Sequence, residues 1–170
     1  MAATTNKMSK VVAQLISLME GLQITTGTGT ETIFANVYGY YIPPYDFNAL
    51  SFKRSDGVLE AACCILSDDG SMEGAKIARH DSIKHNMYIM LYFRSTNHAA
   101  RWERAWNTLA LAIKRLNKHS SWQDQTITAV MTGYSQQRAI QGILGDETPL
   151  PGDITAIRLD MEFTFATGLL

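Results

Sequence analysis

The sequence predicts an α+β domain: a mainly antiparallel β-sheet packed against two helices, with long loops. Three observations carry this. In the stretch Ile154 to Phe165, residues from Ile157 alternate strictly, with Ile157, Leu159, Met161, Phe163 and Phe165 on one face and Arg158, Asp160, Glu162 and Thr164 on the other. Successive side chains of a strand point to opposite sides, so this strand has one dry face and needs a partner layer. Residues Asn97 to His119 place Trp102, Trp106, Leu109, Ile113 and Leu116 at the 4-3-4-3 spacing of one helix face, with Ala105 and Ala112 beside them. Further runs rich in β-formers lie between an N-terminal amphipathic stretch and this helix, separated by turn residues.

The N-terminal helix is expected over roughly residues 8–23, because Val11, Val12, Leu15, Leu18, Met19 and Leu22 recur at helical spacing. Ser9 is positioned to cap it and Gly21 to mark its fraying end. The Gly/Thr-rich run Thr25 to Thr32 reads as a flexible or hairpin-like connector. No Lys follows its glycines, so it is not a phosphate loop. A strand over Thr32 to Tyr38 precedes a loop near 39–56, which Pro43-Pro44 holds extended. That loop gathers Tyr40, Tyr41, Tyr45 and Phe47. Its rings either pin it to the domain or form a docking surface, since Tyr is enriched at interface cores.

Two more strands follow. Gly57 to Leu66 is expected to end at the turn Asp68-Asp-Gly-Ser71. Asn86 to Arg94 is apolar on both faces and is expected in the middle of a sheet. Residues 72–85 are expected to form an extended edge or a hairpin arm. The basic positions Arg101, Arg104, Lys114 and Arg115 are assigned to the wet side of the second helix. After it comes a strand over Thr126 to Thr132, and then a second long irregular stretch near 133–152 that contains Tyr134 and Arg138. A structureless loop of that length is often functional.

All 170 residues fit one α+β domain, with residues 1–7 expected to be loose. The chain is 46% hydrophobic but only 18% charged, which suits large protein contacts, because these deplete charge at their centres. With 15 basic and 16 acidic residues the net charge is -1, which argues against an electrostatic grip on nucleic acid or on an anionic membrane. No apolar run reaches the length of a membrane span, and the first residues do not read as a secretory signal. Cys63 and Cys64 are adjacent, so a disulfide between them would be strained, and they read as reduced thiols of a cytosolic product.

The residues offer little catalytic chemistry. His80, Asp81 and His85 are candidate zinc ligands by type, but their spacing matches no common site and exposed histidines on a hairpin arm are the simpler meaning. Asp68-Asp69-Gly70 lacks the later Glu of a calcium loop. Gly133-Tyr-Ser135 lacks the second glycine of a nucleophile elbow. No catalytic residue, cofactor or metal is therefore expected.

The order of elements is more informative than any motif. A helix over Met8 to Gln23 is followed by a strand ending Asn36-Val-Tyr38 and a Pro-rich aromatic loop. Sheet strands, the long helix Asn97 to His119, and strands ending Leu159-Asp-Met-Glu-Phe-Thr-Phe165 come next. This order resembles the tail terminator proteins of long-tailed bacteriophages, the minor tail protein U-like group. The resemblance implies a virion protein, assembled in the host cytoplasm, that forms a homo-oligomeric ring, usually of six subunits. Such a ring caps the tail-tube protein and meets the head–neck connector protein. It implies no catalytic residues. Tyr40, Tyr41, Tyr45 and Phe47, with Tyr134 and Arg138, are the expected assembly contacts. A tail tube subunit or another neck protein is the nearest alternative. A small metal-dependent hydrolase using His80, Asp81 and His85, or a ligand-binding module, is a reading from a different class.

Overall fold

The computed structural model describes residues 7–27, 29–34, 37–39, 53–55, 59–73, 82–118, 127–141 and 147–166. Helix α1 (Lys7–Glu20) buries Val11, Val12, Leu15, Leu18 and Met19, one stripe at helical spacing. It begins two residues before Ser9, so Ser9 lies in its first turn instead of capping it. At its end the Gly21 amide donates to Ser17 O at 3.1 Å. The connector after α1 is an antiparallel hairpin of β1 (Gln23–Thr26) and β2 (Gly29–Thr32), with Thr26 opposite Gly29. Gly29 has φ +139°, a conformation that side chains with a Cβ rarely adopt. The Ile33 amide donates to Leu22 O at 3.0 Å and ties the base of this hairpin to the end of the helix.

The main sheet contains β3 (Val37–Gly39), β4 (Lys53–Ser55), β5 (Leu59–Glu73), β6 (Ser82–Arg94), β7 (Ile127–Gln137) and β10 (Ile154–Ala166). Helix α2 (His98–Lys118) follows β6, and β8 (Ala139–Gln141) and β9 (Glu147–Pro149) form a separate antiparallel hairpin after β7. The main strand order is β3-β5-β6-β10-β7, with β4 also on β5. Every pair is antiparallel except β3 with β5. The fold is α+β, as expected. β6 is internal, as its two-sided apolar pattern demands, and β10 lies between β6 and β7 along its length.

Two element boundaries differ from the sequence expectation. β5 does not stop at Asp68-Asp-Gly-Ser71 but continues to Glu73, with a register shift between Ser67 and Gly70. The turn-forming residues are absorbed as a bulge, which holds an extra residue without ending the pairing. The hairpin arm expected over 72–85 is present at both ends, since Met72 pairs with Ile83 and Glu73 with Ser82. The stretch 133–152 is not one irregular loop. β7 runs through Gly133 to Gln137, and the β8–β9 hairpin fills most of the rest of its described part. Gly133 is carried by another bulge, where Asp160 faces Gly133 and Met161 faces Met131, leaving Thr132 as the extra residue. The strand persists because β10 supplies a continuous row of partners. The loop near 39–56 lies outside the described residues apart from Gly39 and β4.

Both helices pack on one face of the sheet. The core joins Leu15 and Met19 of α1 to Cys63 and Ile65 of β5, to Ile89, Leu91 and Phe93 of β6, and to the dry face of β10, Ile157 to Phe165. The α2 stripe keeps Leu109 and Leu116 of the expected one, with Ala105 and Ala112, but is turned away from its tryptophans. Arg101, Ala105, Thr108, Leu109, Ala112 and Leu116 are buried, Trp102 and Ile113 are half-buried, and Trp106 is exposed. Small residues let the helix lie close to a sheet of large side chains, and two indoles at that contact would hold the layers apart. The tryptophans therefore flank the contact. Arg101, expected on the wet face, is only 4% exposed. Its Nε donates to Thr155 Oγ1 at 2.9 Å, Nη2 to Gly152 O at 3.0 Å, and Nη1 to Ser95 O. These three acceptors take one N–H from each nitrogen of the guanidinium fork and lock the first turn of α2 to the end of β6 and to the turn and first residues of β10.

Candidate assembly surface

The described residues expose three large hydrophobic side chains: Trp106 at 41%, Val130 at 57% and Tyr134 at 55%. All three lie at one edge of the sheet. Val130 and Tyr134 belong to β7, which ends the strand order, and Trp106 is the α2 residue beside it. The bulge at Thr132 places them on both sides of the edge. Val130 pairs with Glu162, on the face away from the helices, whereas Tyr134 pairs with Leu159, on the helix face.

On the helix face the exposed rings form a row. His98, Trp102 and Trp106 recur every four residues and so share one side of α2. The Trp102 Nε1–H donates to His98 Nε2 at 2.8 Å, which makes Nε2 the bare nitrogen of that imidazole. The Trp102 and Trp106 rings stack at 5.9 Å with 19° between planes, and Tyr134 meets Trp106 edge-on at 6.1 Å. The row thus runs from the start of α2 to the middle of β7. Stacked and edge-to-face rings hold one another in place, which makes a rigid apolar contact surface.

The face away from the helices is polar along β10. Arg158 bonds Asp160 and lies over the Tyr88 ring, 4.2 Å from its centroid. Lys84 Nζ lies 3.8 Å from Glu162 Oε1. These pairs are about a third exposed, so each contributes little to stability and mainly sets a polar, roughly balanced surface. Toward the start of β10 the same face turns apolar, where Ala62, Met90, Tyr92, Ile154 and Ala156 cluster with Leu150.

Of the expected contacts, Tyr134 is in the exposed row, and Arg138 is exposed just past the end of β7, where its carbonyl accepts the Leu150 N–H at 3.1 Å. Tyr40, Tyr41, Tyr45 and Phe47 lie outside the described residues, as do His80 and Asp81. His85 is half-buried on β6, opposite Phe163. Among the described residues no three His, Cys, Asp or Glu side chains gather as a metal site, and no helix is long and apolar enough to cross a membrane. Sequence reasoning missed Val130 and the outward position of Trp102 and Trp106. The four-residue recurrence His98, Trp102, Trp106 was the available signal. It runs beside a parallel series of smaller residues, Arg101, Ala105, Thr108 and Ala112, that better suits a sheet contact. No protein-family model and none of the curated proteins matches the chain.

Proposed function

We propose that the chain is a structural subunit that assembles into a closed ring, of the kind that caps a bacteriophage tail tube and joins it to the head–neck connector. The observation that carries this reading is the concentration of every exposed large hydrophobic side chain of the described residues at one sheet edge. A monomer's exposed apolar side chains are normally scattered, whereas here Trp106 and Tyr134 touch edge-on on the helix face and Val130 lies on the opposite face of the same edge strand, which supports a contact along that edge. The low charge of the chain and the resemblance in element order support the same reading. The ring is expected to hold six copies, to dock on the last layer of tail-tube protein and stop its growth, and to offer its other face to the connector. The length of β5, β6, β7 and β10 favours one second reading, a tail tube subunit, which would stack repeatedly instead of stopping. Native mass measurement and negative-stain imaging of the purified chain separate the outcomes. Discrete rings support a terminator and long tubes support a tube subunit. A monomer that takes up stoichiometric zinc would replace both with the metal-dependent reading.

A further inference from the structure

We propose that neighbouring copies join head to tail through the sheet, the outer edge of β7 in one copy pairing antiparallel with the distal half of β5 in the next. This rests on the reading that the chain self-assembles, and it names the edges that do so.

The two ends of the sheet are unequal in a way that fits this pairing. β7 is an edge strand of eleven residues, Ile127–Gln137, and none of them is charged. Natural edges are normally guarded by charge, proline or shortness, and β7 carries only the Thr132 bulge. At the other end, β4 takes the outer edge of β5 at Leu59–Ala61 and β3 takes it at Cys63–Ile65. Among the described residues nothing pairs with that edge from Leu66 to Glu73. Among the described residues, one long uncovered edge thus lies at each end of the sheet.

Their directions match. β5, β6, β10 and β7 are each antiparallel to the next, so β5 and β7 run in opposite senses. Copies related by rotation about an axis along the strands would bring β7 beside β5 in antiparallel orientation, continuing the alternation. Their heights match too. Position 71 is opposite Lys84, Lys84 opposite Thr164, and Thr164 opposite Thr128, so one row across the sheet joins position 71 to position 128. Val130, the most exposed large apolar side chain among the described residues, falls within the same stretch.

Area favours a closed ring over a pair. The uncovered stretch of β5, Leu66 to Glu73, is about 26 Å long, and a sheet edge about 10 Å thick then offers roughly 260 Å² per copy. Stable pairs need about 800 Å² from each partner. One edge contact falls short, whereas a ring gives every copy two such contacts and leaves no sheet end bare.

The test uses the full chain. Val130→Lys places a charge on an exposed edge position and is expected to shift the assembled mass to monomer while circular dichroism and melting stay those of a folded domain. In parallel, Ser71→Cys and Thr128→Cys combined are expected to give an oxidation-dependent ladder of covalent oligomers, with the unsubstituted chain as the control for Cys63 and Cys64. This arm leaves Val130 in place and so stands even if the lysine variant misfolds. Rings that persist in Val130→Lys without a ladder would overturn the edge pairing and leave the ring. Thr128→Cys alone forming covalent dimers would replace it with a twofold β7–β7 contact. A chain monomeric at every concentration would overturn both the pairing and the ring.

Discussion

Two buried threonines on adjoining layers show how much a hydroxyl depends on its neighbours. Thr155 accepts from Arg101 Nε, whereas Thr108 Oγ1 is buried with no hydrogen-bond partner among the described residues. An unsatisfied buried hydroxyl costs stability, and removing it can be neutral or favourable. Thr108→Val is therefore expected to leave stability unchanged or raise it by about 1 kcal/mol. Thr155→Val is expected to lower it by about 1–3 kcal/mol, because a charged donor loses its acceptor. Urea unfolding of the two variants side by side checks the opposite signs. Arg101 is the larger case. Arg101→Ala leaves Ser95 O and Gly152 O without their donor and is expected to cost about 3 kcal/mol. Arg101→Lys should recover little of that loss, since an ammonium cannot reach three acceptors set out for a planar fork. An Arg101→Lys variant as stable as the parent chain would contradict the clamp. None of this was legible in the sequence, where Arg101 read as one of several basic residues on a wet face. The fork's acceptors are two backbone carbonyls and a hydroxyl from segments as far as 54 residues away, and no local pattern announces them.

The elements themselves were more legible, and the reason is periodicity. β10 declared its dry face through five alternating apolar residues, all of them buried, and α1 did so through its helical stripe. The α2 face was misplaced because its largest side chains were taken for its core, when close helix–sheet packing favours the small ones. Boundaries failed where turn residues sat inside long strands, since bulges at Thr132 and between Ser67 and Gly70 let the ladder continue. Of the expected contacts, Tyr134 is exposed, and its setting was not legible, since only the fold brings it to Trp106. Close packing between elements also rests on a glycine whose role the sequence hides. A Cβ on Gly39 would lie 2.8 Å from Ile16 Cδ1 and 3.2 Å from Val12 Cγ1, so β3 and α1 approach more closely than a methyl allows. Gly39→Ala is expected to destabilise by about 1–2 kcal/mol through overpacking. Because the nearer atom is the tip of a side chain, Ile16→Val should rescue part of that loss, with a coupling of at least about 0.5 kcal/mol. Additive effects in that double-mutant cycle would rule out the clash as the cause.

At the scale of the whole molecule β10 is the strand that joins the two parts of the main sheet. β6 and β7 never pair with each other; each pairs with β10. The two are separated in sequence by α2, and α2 itself is held at its first turn by acceptors on either side of the β6 end and the β10 start. Removing Ile154 to Ala166 would therefore unpair the inner edge of β7 and the outer edge of β6 together. It would also take away Ile157, Leu159 and Phe163, which lie within the single core that both helices share. Were β10 an edge strand, its loss would trim the sheet and leave a folded remainder. As an internal strand that carries β7 with it, its loss should abolish cooperative folding altogether. A chain ending at Asp153 is expected to show no cooperative thermal transition and to bind a hydrophobic dye, the behaviour of a collapsed state without fixed packing. The full-length chain should unfold in one transition. If the truncated chain kept a sharp transition, β5, β6 and the helices would have to form a domain without β10, and the internal place of that strand would carry no energetic weight. Because the β10 pairings span much of the chain, refolding of the full protein should fall in the slow, millisecond-to-second range typical of non-local sheets. A stopped-flow refolding measurement on the full chain, set beside the melting curve of the truncated one, tests both consequences of placing β10 inside the sheet between β6 and β7.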